Sequence, residues 1–417
     1  MADAIAIRLG GLVCLALAGA CADSPEPMDD EWMGQGESGP DDPEPEVVLP
    51  TDIPPPVTWR EVGTLTVDDF GAAGTIAVPF PAGQRYVAVR SVPLDATTGD
   101  AVACHRVMRA QWSSGEIVVP EQGTAPSDGH QHLVPGPGAG VFVMSTNVEP
   151  LHEADTLELE LGLFDCGLAI PASRARFPGM PRTVRVDVAS EPEPTESSPT
   201  ATVAVRLARA ADSGWGPMAE DPALWDAWAV AVERFADIGI ELRLEAELEL
   251  PDAGVTEYGA DMIGLASLQQ HVHAQLQADP TDARFVPVAL VRCLDYEDPT
   301  ATSRSRPVGQ ATRIPGSLAD AATPSLVVLA GGDCQAGPDA TLIHDPARYG
   351  VVLAHEIGHY LGLFHVDTAL GSHLPAAGDE RLMASTIAQA IDPERAWFSP
   401  AQATVLLRHP DVVIGDR

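Results

Sequence analysis

The chain has 417 residues, more than one ordinary domain holds, so two folded units with connecting segments are expected. Its 60 acidic residues stand against 24 basic ones, all of them arginine, for a formal charge of −36. That balance excludes recognition of nucleic acid through a general basic field, while a hydrophobic content of 45% is enough for ordinary cores.

Residues 1–21 carry one positive charge, Arg8, then an apolar stretch at 9–20 and small residues before Cys21. The stretch is much shorter than the roughly 20 residues a membrane span requires, so it reads as an export signal. Leu17-Ala18-Gly19-Ala20-Cys21 resembles the lipobox of bacterial lipoproteins, which implies lipidation of Cys21 and a lipid anchor at the cell envelope. Simple secretion after cleavage near Ala20 or Ala22 is the alternative. Residues 22–57 then form an acidic, proline-rich tether: from 23 to 52 there are eleven carboxylates and no basic residue. Such a segment cannot bury enough apolar surface to offset its ordering entropy, and is expected to be disordered.

Short alternating apolar runs follow at 75–80, 86–92, 116–119, 141–145, 156–164 and 183–188, punctuated by glycine and proline. They predict an all-β, sandwich or jelly-roll-like domain over 58–190. His130 and His132, in a Gly- and Pro-rich loop, read as exposed loop histidines rather than as a metal pair. The stretch 191–200, Glu-Pro-Glu-Pro-Thr-Glu-Ser-Ser-Pro-Thr, reads as a second linker and marks a domain boundary. With Cys14 lost with the signal and Cys21 lipidated, four cysteines remain, an even number that suggests disulfides in an exported protein. Three pairings are open; the linker favours Cys104–Cys166 and Cys293–Cys334.

From 201 onward the periodicity changes to an α/β order. Strands are predicted at 201–207, 240–250, 285–291, 308–314 and 326–330. A helix runs from Asp221-Pro222 to about 236, with proline at the first helical position where its missing N–H costs nothing. A second helix is expected at 261–278; His271 and His273 on it are two apart, face different directions and read as solvated. A third begins at Asp345-Pro346. A last one begins at Ser399-Pro400-Ala401-Gln402, a capping box. Asp333 and Asp339, in a Gly-rich loop beside Cys334, could hold a structural Ca²⁺, although a solvated loop is the default.

The third helix carries His355-Glu356-Ile357-Gly358-His359-Tyr360-Leu361-Gly362-Leu363-Phe364-His365. Histidines at i and i+4 lie one above the other on a helix face, close enough for both imidazoles to reach one zinc ion at about 2.0 to 2.1 Å. Glu356 beside them can lean over the open side of that ion. Six further residues of helix would carry His365 roughly 9 Å along the axis from His359, out of reach. Gly362 removes the difficulty, because a glycine can take the left-handed conformation that ends a helix and turns the chain back.

The motif resembles that of the metzincin zinc peptidases, and the resemblance spans 201 to about 410, looking most like matrixin- and pappalysin-related bacterial members. It implies a five-stranded mixed sheet, one catalytic Zn²⁺ held by His355, His359 and His365, and a Met-turn beneath the metal. Met383 is the only methionine after His365 and is therefore the Met-turn candidate. Val366, and the 18 positions between His365 and Met383, do not match the marks of several subfamilies. No tyrosine follows Met383, so a tyrosine fifth ligand is not implied. The implied activity is hydrolysis of internal peptide bonds in extracellular or envelope proteins, with zinc-bound water as nucleophile and Glu356 as general base. Substrate would lie extended along strand 308–314, and 366–398 would wall the pocket beyond the cleaved bond. The contrasting expectation is an envelope adhesion or binding protein in which the β domain acts and the metzincin domain is vestigial.

Overall fold

A computed structural model describes residues 57–95, 103–115, 117–119, 133–134, 140–143, 155–165, 171–193, 200–250, 257–259, 268–269, 271–272, 274–276, 284–295, 308–316, 318, 325–332, 345–366, 382–384 and 393–415. The export signal, Cys21, the acidic tether, His130, His132, Cys166, His273, Cys334, Asp333 and Asp339 lie outside these residues. The fold is multidomain and rich in β-structure. Among the described residues no helix is long and apolar enough to cross a membrane.

The first part consists of β1 (Arg60–Thr66), β2 (Ala72–Phe80), β3 (Gln84–Pro93), β4 (Ala103–Trp112), β5 (Ile117–Val119), β6 (Leu133–Val134), β7 (Gly140–Val143), β8 (Asp155–Asp165) and β9 (Thr183–Pro192). They form two antiparallel sheets, β1-β9-β3-β7 and β2-β8-β4-β5, with β6 paired to β4. The sheets close on one apolar cluster: Val87, Val89, Val184, Val186 and Val188 from one meet Val78, Val107, Leu157, Leu159 and Leu161 from the other. Alternation along β8 explains this directly, since Leu157, Leu159, Leu161 and Leu163 face inward at every second position. In β3 the alternation is absent. Tyr86 and Ala88 are as buried as Val87 and Val89, so this sheet is covered on both faces. Strand β4 carries arginines and a histidine among its apolar residues, and its pattern did not predict a strand. The expected linker also begins later than its composition suggests, because Glu191 and Pro192 are the last residues of β9 and pair with β3.

The second part begins with β10 (Thr200–Ala210), α1 (Pro222–Ala236), β11 (Ile240–Leu250), β12 (Glu257–Gly259), β13 (Val286–Val291), β14 (Cys293–Asp295), β15 (Gly309–Ala311) and β16 (Val327–Ala330). It ends with α2 (Pro346–Tyr360), α3 (Pro400–Leu406) and β17 (Val412–Gly415). The main sheet runs β11-β10-β13-β16-β15, parallel except for the antiparallel edge strand β15. It has six strands rather than the five the resemblance implies. Residues 200–203 of the eleven-residue β10 project beyond β13, and β17 fills that gap antiparallel. β13 and β16 are buried at every position, as central parallel strands are. One face packs on α1 and α2, while Leu268, Val272 and Leu276 cover the other.

The helix starts follow their sequence signals. Asp221 accepts from Ala223 N and Leu224 N, both at 3.1 Å. Asp345 accepts from Ala347 N at 3.0 Å, and Ser399 with Gln402 completes the capping box. From Tyr349 to Tyr360 α2 is buried on all sides, which makes it the central helix of the fold.

Candidate metal centre

Two features bring the three histidines of the motif together. His355 and His359 share one face of α2, near its C-terminal end. The helix then stops in a Schellman turn: Leu363 N donates to Gly358 O and Gly362 N to His359 O, both at 3.0 Å, with Gly362 at φ +111°. A side chain at Gly362 would be strained there. The turn redirects the chain, and His365 folds back onto the helix face it has just left. Its Nε2 lies 3.2 Å from His355 Nε2 and 3.0 Å from His359 Nε2. Ligands about 2.0 to 2.1 Å from a tetrahedral ion stand roughly 3.3 Å apart, so the donor set fits a Zn²⁺-sized cation closely.

The opposite ring nitrogens are held as a metal site requires. His355 Nδ1 is 2.6 Å from Leu382 O, and His359 Nδ1 is 2.6 Å from Leu363 O. A carbonyl accepts only, so each Nδ1 carries the proton and each Nε2 presents a lone pair. Burial, with smaller contributions from His355 and His365, holds His359 well below its ordinary pKa and so in the neutral form that ligates.

Glu356, the residue after His355, lies against Gly309 of the edge strand β15. It is fully buried, and among the described residues neither of its oxygens has a hydrogen-bond partner. Burial raises its pKa to about 8. The backbone N–H of Ala311 opposes that rise. A carboxyl group without a hydrogen-bond partner among the described residues is available to a small polar molecule or a cation. The edge strand explains the close fit above it. A Cβ on Gly309 would stand 2.7 Å from Glu356 Cγ, so only glycine lets β15 come this near the carboxyl group.

Met383 lies under the helix. It is fully buried, and a Cβ on Gly358 would be 2.9 Å from its sulfur. The turn 382–384 is tied to the cluster twice, through Leu382 O to His355 and through Met383 O, which accepts from Val366 N at 2.9 Å. Two residues beyond the expected set thus support the site, Leu382 and Leu363, each through a backbone carbonyl and therefore without a side-chain signal. Gly309 did carry a signal: a glycine inside an otherwise β-forming run marks close backbone approach.

Other expected site residues stand apart. His271 belongs to the layer on the far side of the sheet, half-buried rather than freely solvated. Cys293 is disulfide-bonded, with its expected partner Cys334 outside the described residues. The backbone of Cys104 lies in β4, opposite Phe164 of β8, and its side chain lies outside the described residues, as does Cys166.

No protein-family model matches the chain, and no curated protein matches it. Among solved structures it is similar to metalloproteinase-II from Bacteroides fragilis, with a TM-score of 0.32 and 16% sequence identity. The match covers 54% of this chain and 62% of that one, less than two thirds of its length.

Proposed function

We propose that the protein is a zinc-dependent endopeptidase of the metzincin type, exported and anchored at the cell envelope through Cys21, with residues 201–417 as its peptidase domain. The observation that carries the reading is the convergence of three buried histidine Nε2 atoms beside a buried glutamate with no hydrogen-bond partner among the described residues. A structural histidine cluster would satisfy its neighbours and would have no use for an isolated carboxyl group next to it.

His355, His359 and His365 would hold the ion, and Met383 would support the floor beneath them. Zinc in such a site supplies a Lewis acid that polarises a carbonyl and acidifies water. Glu356 would take a proton from the attacking water and return it to the departing amine, a role open to a buried carboxylate beside the ligands with no hydrogen-bond partner among the described residues. β15 is the antiparallel edge of the sheet, with one side unpaired among the described strands. An extended peptide adding there would pass directly over Glu356. The pairing of Cys293 with Cys334, and of Cys104 with Cys166, belongs to the same proposal for an exported protein.

The test is casein cleavage by the full-length chain together with its zinc content. Activity should disappear with a chelator and return with stoichiometric zinc. Cleavage unaffected by complete removal of metal would overturn the assignment.

A further inference from the structure

The sheet β1-β9-β3-β7 has a second apolar face, made by Tyr86, Ala88, Val141, Val143 and Ala189, and Leu318 of the peptidase part packs into it. A sandwich that stood alone would leave that face covered only in part, by its own Val57 and Trp59. Charged groups ring the contact. Arg85, only 4% exposed, donates to Leu407 O at 2.9 Å and His409 O at 3.3 Å, and to Glu191 Oε2. Glu191 also accepts from Arg284, which donates in turn to Pro410 O at 3.1 Å. Burial alone would raise the pKa of Glu191, but the bonds from Arg284 and Arg85 hold it below the usual carboxylate value. One carboxylate at the end of β9 thus joins an arginine of the sandwich to an arginine of the peptidase part.

What lies under this clamp is the C-terminal end of the helix that carries the histidines. Tyr360, the residue after His359, donates its hydroxyl proton to Asp411 at 2.9 Å and accepts from Gly316 N through its backbone oxygen at 2.6 Å. His409 donates from Nε2 to Gly316 O at 3.2 Å. Residues 312–316 are the continuation of β15, the strand that faces Glu356, and Leu318 is where that continuation enters the sandwich.

We propose that the N-terminal sandwich is a permanent part of the working enzyme and no detachable pro-segment, with Glu191, Arg85 and Arg284 as positioning residues that hold the edge strand over the site. The positioning role rests on the peptidase reading; the permanence of the contact does not. The full-length protein, carrying a cleavage site for an external protease between Ser197 and Ser198, separates the two. After cutting, the halves should co-elute at micromolar concentration with activity on casein intact, and Glu191→Ala in the cut protein should make them separate. In the uncut protein Glu191→Ala should raise KM about tenfold with zinc content unchanged and kcat less affected, and Glu191→Asp should recover part of the loss. Halves that separate without the substitution, leaving a fully active 198–417 fragment, would overturn the proposal. So would a loss of activity in Glu191→Ala that tracks loss of zinc or of folded protein. Co-eluting halves with no cleavage of casein in any form would instead sink the peptidase reading and leave the clamp standing.

Discussion

Two buried polar clusters sit at opposite ends of the last turns of α2, and they are built on opposite rules. At Tyr360 each side chain has a partner: Asp411 accepts from the tyrosine hydroxyl, His409 bonds a carbonyl, and Glu191 is shared by two arginines. At Glu356 the match is withheld, since three lone pairs converge and the neighbouring carboxyl group has no hydrogen-bond partner among the described residues. A protein interior normally pairs its polar side chains, so the paired cluster is read as architecture and the carboxyl group without a hydrogen-bond partner as chemistry.

The contrast can be broken most forcefully at the carboxyl group. Glu356→Gln keeps shape and burial while removing the base, and kcat/KM on casein should fall by about 10² to 10⁴-fold with one zinc per chain retained. Undiminished turnover would place Glu356 with the architectural residues. Gly309→Val should come next. A side chain there collides with Glu356, so about a 10²-fold loss of kcat is expected from displacement of the edge strand, again with metal kept. If Gly309→Val cleaves as well as the native chain, substrate does not lie along β15.

Gly362→Ala probes the turn that delivers the third ligand. Forcing a Cβ into φ +111° should cost about 1 to 3 kcal/mol of folding stability and weaken zinc binding, readable as a lower melting temperature and a faster loss of metal to a chelator. Equal chelator kinetics in variant and native protein would detach the turn from the metal.

The smallest effect concerns a satisfied histidine. His105 in β4 is buried against Ser91 at 2.8 Å, and burial lowers its pKa to about 4 from 6.5. Below pH 6.5 the unfolded chain binds a proton that the folded chain refuses until about pH 4. Stability therefore falls as pH drops through that window, by about 2 kcal/mol at pH 5, and flattens below it. His105→Gln should lessen the difference between urea midpoints at pH 7.5 and pH 5; an unchanged difference would show that His105 is not the group responsible.

Legibility in the sequence followed distance along the chain. The donor set was readable because eleven consecutive residues carry all three histidines, the glutamate and the glycine that closes the turn. Caps were readable for the same reason, since Asp221, Asp345 and Ser399 bond to N–H groups two or three residues away. The clamp was not, because Glu191 meets Arg85 and Arg284 across 106 and 93 positions. Local composition even pointed the wrong way, as a Glu-Pro repeat reads as a solvated tether until its charges find buried arginines. β17 was hidden by the same cause: four residues near the end of the sequence become a strand only because β10, some two hundred positions earlier, leaves its first residues open.

That short stretch has a consequence for the birth of the molecule. Within 407–415 the chain gives two carbonyls to Arg85, a carboxylate to Tyr360 and a strand to β10. A polypeptide emerging N-terminus first can collapse its sandwich and form the helix of the histidine motif before residues 407–415, which knit sandwich, sheet and helix end together, have been made. A product truncated before residue 407 would retain every histidine of the motif, and the Leu363 and Leu382 carbonyls that seat two of them, but not the groups that join sandwich, sheet and helix end.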